Sequence, residues 1–564
     1  MTDSAQGRMF GDRIFAGGWR GPLFAALVAL AASLPGLIAM PVLDRDEARF
    51  AEASAPVLET GDIVSINFQE EPRYKKPVGI HWLQALAVAA VSGVEKREIW
   101  AYRLPSLLGA MVAAAACAWG GALFWGRRGG ALAGAILGAS LILSTEAFIA
   151  KTDAALCGSV TLMMAALARI YAAGRGEAIA GLGTKCVFWA AMAAAILLKG
   201  PIGPMVAALT IASLWIWDRR AFWLAGIGWS WGLALVLLVV GPWALATTVA
   251  SDGAFWSGAV MGDMVSKLQA GRESHGAPPG LHLLLAPLLL FPAGVLLPAA
   301  LVHGWKARAS TGVRFALCWM EPAWIVFELA PTKLPHYILP LYGALAWLMA
   351  AALQQPIGRI SRILGAVLAG LGGVVLAGVG VALAVLYGSD ASRLWAGLAA
   401  VLLLGAAAAG AVFILARRTP AAALILAGGL GVIGHDVLAA GLAPTLQPLW
   451  VSTRAADALK RADIDPRNGV TPGPVAVAGY GEPSIVFLLG AETELGEADD
   501  AASAISDGRP AIVEALQRPA FLAALKTQDG RATPAGEVKG LDYSTGKPVD
   551  LFLYRSLETA SAPQ

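Results

Sequence analysis

The run Asp44-Arg45-Asp46-Glu47-Ala48-Arg49 sets carboxylates beside guanidiniums in one short stretch, and Glu52 follows closely. Carboxylates so placed can take or orient a proton. The run directly follows an apolar segment, 24–40, and opens a polar stretch that continues to residue 77. Charged side chains near a bilayer are costly and persist where they line a polar cavity. Other polar groups interrupt the apolar chain further on. They are Lys76 before Pro77, Lys151-Thr152-Asp153, Lys199 before Gly200-Pro201, Arg272 and His275, and Lys333 with His336-Tyr337.

The elements that must position these residues are membrane helices. Of the 564 residues, 57% are hydrophobic and 14% charged, too little charge to cover a soluble protein of this length. A net charge of +3 excludes a strong nucleic-acid footprint. Cys117, Cys157, Cys186 and Cys318 sit in apolar runs without metal-ligand spacing, which suits core packing. Segment 24–40 has no small-residue cleavage site beyond it and reads as a retained first span.

A spanning helix needs about 20 mostly apolar residues. The hydropathy pattern predicts about thirteen spans, near 22–41, 103–125, 129–149, 154–173, 184–199, 201–217, 221–249, 281–302, 312–330, 335–353, 364–387, 394–416 and 420–441. Arginine and lysine pairs fall in every second loop, among them Arg127-Arg128, Arg219-Arg220 and Arg417-Arg418. Basic loops mark the cytoplasmic side. The N-terminal segment 1–21 is then inside and the C-terminus outside. Nearly every unusual polar group gathers on the outer face, the pattern of an active site at one membrane surface. Transporters place such groups near mid-membrane instead.

The first outer loop, 42–102, contains two amphipathic stretches. Residues 46–59 have helical spacing and end at Gly61-Asp62. Residues 78–91 start after Pro77, and proline suits a first helical turn. Both are expected to lie along the membrane surface. Beyond residue 443 the composition changes, and 445–564 reads as a small α/β domain. Strands are expected at 475–480, 511–516 and 551–554, a helix at 521–525, and either element at 484–489.

Taken in order, Asp46-Glu47-x-Arg49, Glu52, Thr60-Gly61-Asp62, Lys76-Pro77, Trp82, Lys151-Thr152-Asp153, Leu198-Lys199-Gly200-Pro201, Ser274-His275-Gly276-Ala277-Pro278 and Lys333-Leu334-Pro335-His336-Tyr337-Ile338-Leu339-Pro340 resemble a known family. It is the polyprenyl-phosphate-dependent glycosyltransferases of the C-type membrane fold, which includes the lipid A aminoarabinose transferase and the protein O-mannosyltransferases. The resemblance covers about the first 350 residues. It implies a transmembrane glycosyltransferase domain at 22–443, with 42–102 as its periplasmic catalytic loop and 445–564 as a periplasmic domain, in a bacterial inner membrane. It also implies transfer of a sugar from a polyprenyl phosphate to a lipid A or envelope-glycan acceptor, with a protein acceptor as the alternative.

Such a reaction needs a carboxylate near the acceptor nucleophile, fixed positive charge for the departing lipid phosphate, and an apolar groove for the isoprenoid tail. The resemblance assigns Asp46 as the general base, or as an orienting group if the acceptor is itself an anion, with Glu47 as its neighbouring support. Capping of the following helix competes for Asp46. Asp153 is either a second acidic group or the N-cap of its helix. Arg49, Lys76, Lys199, Arg272, Lys333 and Tyr337 are the candidates for the donor phosphate. Snorkelling competes for Lys76, and an interfacial anchor role competes for Tyr337. No motif requires a cofactor. His275 matches a histidine that holds a divalent metal in some relatives, but Lys75 stands where their second ligand, an acidic residue, is found. A non-catalytic lipid or sugar flippase is the reading from another class. Outer-face clustering and the lack of an evident internal repeat count against it, while His435-Asp436, inside a span, has no role in either reading.

Overall fold

The computed structural model describes residues 17–259, 262, 276–416, 421–469 and 471–557. The fold is a bundle of apolar helices with a small sheet-containing unit at its C-terminal end. Among the described residues, eight helices are long and apolar enough to cross a membrane, or nine if the pair Leu281–Leu289 and Ala293–Lys306, bent by 117°, forms one span. The protein is therefore a multi-span membrane protein, but the expected thirteen crossings are not reproduced. The shortfall has local causes. Helix Ile202–Asp218 is 17 residues long, and segment 335–353 divides into a 3₁₀ turn, Pro335–Leu341, and a helix, Tyr342–Ala352.

Two expected spans run into one continuous assignment, Ile99–Gly138, which folds back on itself at Gly126 (φ 70°, ψ 171°). A side chain there would strain a left-handed backbone, so glycine makes the turn. Beyond it the two arms pack so closely that a Cβ on Gly130 would lie 2.4 Å from the Ala118 carbonyl oxygen. Small residues allow this approach, and close backbone packing replaces the hydrophobic effect as the adhesive inside lipid.

The first outer stretch is not one helix. Asp46–Glu52 stops, and a second short helix, Pro56–Glu59, follows. Pro56 offers no N–H and so cannot continue the first ladder. The second stretch forms Gly79–Val91 as expected.

Strands β1 (Asn67–Phe68) and β2 (Glu71–Pro72) form a small antiparallel pair in the first outer loop, and the C-terminal sheet has the order β4-β3-β5-β7-β6, built from β3 (Ala476–Ala478), β4 (Glu494–Gly496), β5 (Ala511–Glu514), β6 (Ala532–Asp542) and β7 (Lys547–Ser556). β3 pairs in parallel with β4 and β5, and β7 runs antiparallel to β5 and β6. The ambiguous segment 484–489 is helix, Pro483–Leu489. Strand β6 was not expected, because its mostly half-buried and exposed residues lack strict alternation. His435 links the last apolar helix to a broken one. Its Nδ1 and Nε2 each lie 3.1 Å from a hydroxyl, those of Ser144 and Thr145, and this satisfies both ring nitrogens.

Candidate active site

The turn into the first outer helix is held from several sides. Arg103 lies near the start of the long apolar helix and is fully buried. Its guanidinium donates to Glu47 through Nε and a terminal nitrogen, each at 2.8 Å, and to the carbonyls of Leu37, Met40 and Pro41. Glu47 also accepts from the amides of Leu43 (2.9 Å) and Ala150 (2.8 Å). Glu47 is thus fully engaged in joining the first span, the outer loop and the 148–152 turn. Arg45, at the helix cap, has φ 60° and ψ −108°, a costly backbone state for a residue with a side chain. Its guanidinium donates to the Ser544 carbonyl of the C-terminal unit, and the Asp44 amide donates to the Tyr543 hydroxyl at 2.7 Å. The strained cap leaves Asp46 in the first helical turn, exposed, with no capping hydrogen bond at the helix start.

A second assembly stands beside it. Asp153 opens the helix Asp153–Gly174 and has Thr152, not itself, at the cap position. Its carboxylate meets the Lys199 ammonium at 2.5 Å, the Lys151 ammonium at 3.8 Å and His336 Nε2 at 3.7 Å. Glu146 closes the ring, 2.8 Å from Lys151 and 3.5 Å from His336 Nδ1. Burial works against the charged form of Lys151, but Glu146, Asp153 and, further off, Asp46 outweigh it and hold the ammonium above its ordinary range. Asp46 is therefore close enough to act electrostatically on this ring. Lys199 reaches it because Gly200, at φ 60°, ends the helix Leu182–Lys199 abruptly. The Lys199 ammonium also sits 5.3 Å from the centre of the Tyr337 ring, a cation–π contact.

The remaining candidates differ in placement. Arg49 is half-buried on the Asp46–Glu52 helix, and its carbonyl accepts from Arg73 at 3.2 Å. Lys76 is half-buried in the turn before Pro77. Lys333 is buried and donates to the carbonyls of Ala277 (2.8 Å) and Ala330 (2.7 Å), fastening two loops together. Arg272 and His275 lie outside the described residues, so the metal question attached to His275 does too. Among the described residues no group of three metal-ligating side chains converges. Glu146, Lys151 and His336 carry no role in the sequence reading. Ionisable groups flanking apolar runs were the available signal, but their mutual contact was not.

The C-terminal unit seals the other side of the turn. Ser484 donates to the Asp44 carboxylate and lies 2.6 Å from the Ser452 hydroxyl, from which it can accept, and Gln69 donates to the carbonyls of Ala491 (2.9 Å) and Thr493 (2.7 Å). Burial pushes Asp44 up to about 7, and the charges of Glu482 and Asp542 push the same way, against the hydrogen bond from Ser484. Glu52 is likewise pushed up to about 7 by burial, although Arg97 pairs with it at 2.6 Å.

The structure superposes on ArnT from Cupriavidus metallidurans bound to undecaprenyl phosphate with a TM-score of 0.73 and 19% identity, covering 96% of this chain and 99% of that one. The fold is that of this solved structure. In sequence, the chain is 30% identical over 315 residues to an undecaprenyl phosphate-alpha-4-amino-4-deoxy-L-arabinose arabinosyl transferase of Pseudomonas paraeruginosa, covering 55% of each chain. It is 29% identical over 336 residues to the enzyme of the same name from Aeromonas hydrophila, covering 59% of each. The match thus spans little more than half the length of these curated relatives. No family model matches the chain.

Proposed function

We propose that the protein is a glycosyltransferase that moves a sugar from a polyprenyl phosphate to a lipid A or envelope-glycan acceptor at the outer face of a bacterial inner membrane. The observation that carries this reading is the Lys151–Asp153–Lys199 ring at one end of the helix bundle, with the exposed Asp46 near enough for its charge to act on Lys151. The names of the relatives and the solved structure support the donor class. The alternation of basic loops supports an outward-facing site and a periplasmic C-terminal domain over 445–564.

In this mechanism Asp46 takes or orients the proton of the acceptor hydroxyl. The acceptor oxygen bonds to the sugar's anomeric carbon as the bond from that carbon to the phosphate oxygen breaks, and the electron pair leaves with the lipid phosphate. Lys76 and Lys199, helped by Arg49, Arg272 and Tyr337, stabilise that anion. Lys199 is held by Asp153 in the free protein, so an incoming phosphate competes with a carboxylate already in place. Glu47 fixes the helix that carries Asp46, and Lys333 fixes the loop that follows 263–275.

The test compares envelope lipids and glycans by mass spectrometry from a deletion strain carrying wild type or Asp46→Asn. A sugar-sized mass missing from both the deletion and the variant is expected, and its value identifies the product. A full wild-type profile with Asp46→Asn at normal expression overturns the assignment of Asp46.

A further inference from the structure

The far end of the bundle holds a second polar cavity that the proposed reaction does not use. Helix Asp153–Gly174 starts at the Asp46-side ring and has 22 residues, so its other end lies about 33 Å away. There a cavity of about 580 Å³ opens among Arg175, Asp218, Arg220, Arg314, Trp217 and Trp223. Helix Ile202–Asp218 ends at it and helix Thr311–Leu329 begins beside it.

The charges at this cavity do not balance. Asp218 is the central acid and is already saturated. It accepts from the Tyr171 hydroxyl at 2.6 Å and from Arg175 at 3.3 Å, and it pairs with Arg314. Glu177 reaches Arg175 from the opposite side at 3.4 Å. Three arginines therefore face one wall acid and one neighbouring acid, with Arg219 adjoining. Arg220 is exposed and makes no hydrogen bond or ion pair among the described residues. Two buried N–H groups on the wall residues, Arg314 Nε and Trp223 Nε1, also lack acceptors among the described residues. Buried donors are ordinarily satisfied, so each unmet one favours an incoming oxygen.

The rim identifies the kind of ligand. Phe222 is 61% exposed and Trp217 41% exposed, and tryptophan beside arginine at a helix end is the pattern of the membrane–water interface. Basic pockets between helix ends at that depth hold acidic headgroups. Arginine forks suit phosphate oxygens better than a point charge does.

We propose that this cavity binds the phosphate of an anionic membrane lipid, at the membrane face opposite the glycosyl-transfer site. The headgroup phosphate lies between Arg220 and Arg314, its acyl chains run along the exposed aromatic rim, and Asp218 keeps the arginine forks open toward it.

The test titrates the purified full-length protein in detergent with phosphatidylglycerol, phosphatidylcholine or inorganic phosphate and counts adducts by native mass spectrometry. A saturable single adduct of phosphatidylglycerol is expected, with phosphatidylcholine failing to displace it. Removing one arginine charge near a membrane surface costs on the order of 1 kcal/mol, so Arg220→Gln should weaken the adduct roughly fivefold. Arg220→Glu should abolish it, and Arg219→Gln, outside the cavity wall, should leave it unchanged. Thermal midpoints of the variants at the wild-type value confirm that folding is intact. Equal binding by Arg220→Glu and wild type, or equal losses at Arg219 and Arg220, overturns the site. Displacement by equimolar inorganic phosphate overturns the lipid as its source.

Discussion

Two buried ionic assemblies flank the exposed Asp46, and they are built in opposite ways. At Glu47–Arg103 every guanidinium nitrogen has an acceptor, and the carboxylate also takes two backbone amides, all at hydrogen-bond distance. In the Asp153 ring two close pairs, Asp153–Lys199 at 2.5 Å and Glu146–Lys151 at 2.8 Å, are joined to each other only by looser contacts of 3.5 to 3.8 Å through Lys151 and His336. A saturated assembly has one arrangement and resists change, which suits a scaffold. An assembly with slack can exchange partners at low cost, which suits a site that must admit and release an anion. The contrast teaches that burial and charge alone do not mark chemistry; unfilled coordination does.

The comparison breaks most visibly if the scaffold is cut. Glu47→Gln leaves Arg103 charged in a buried place, and removing one partner of such a pair costs about 3–5 kcal/mol. The expected outcome is a large drop in the thermal midpoint in detergent and poor recovery of folded protein. A variant that melts normally and loses only turnover would place Glu47 with the reacting groups.

Lys199→Ala should do the reverse. Asp153 keeps Lys151 and His336 nearby, so the midpoint should stay close to wild type. Turnover with a polyprenyl-phosphate sugar should fall about 100-fold, as expected when one fixed charge on the leaving group is lost. Melting and activity falling together would put Lys199 in the scaffold.

A third, smaller effect concerns the seam between Asp44 and the C-terminal unit. The Asp44 carboxyl is raised from 3.8 to about 7 by burial, so the folded protein holds a proton there that the unfolded chain has lost. The sign follows: between about pH 4 and 7 stability falls as pH rises, and above 7 the full penalty of a buried charge remains. Glu482, raised in the same direction, adds to the trend. The wild-type midpoint should rise on acidification from pH 8 to 6, and Asp44→Asn should flatten that rise. An unchanged slope in the variant would assign the dependence to other groups. The smallest effect is expected from chelation. With Lys75 at the position of one metal ligand in some relatives, activity should survive treatment with a chelator. Loss that a divalent metal restores would reveal a different ligand set.

Much of the candidate site was visible in the sequence as residue types. Asp46, Asp153 and Lys199 stand out because charge beside an apolar run needs a reason. Arg103 had the same signal, four residues into an apolar helix, yet it was not singled out. Its partner Glu47 lies 56 positions away, and no local pattern links them. The count of thirteen spans is not confirmed, since hydropathy registers apolar length but not bends. Gly126, the 117° break before Ala293 and the 3₁₀ turn at Pro335–Leu341 all alter what crosses as one helix.

By itself the sequence determined that this is a polytopic membrane protein whose polar residues fall in a few loops, because transfer of apolar surface from water depends on composition and period. It also determined which loops carry acid and base. Only the tertiary structure decided which acid meets which base. Coulomb attraction and hydrogen bonding act over a few ångströms, and Asp153 and Lys199, 2.5 Å apart in the fold, lie 46 positions apart in the chain. The same short range divides Glu47, locked to Arg103, from Asp46 beside it, left exposed.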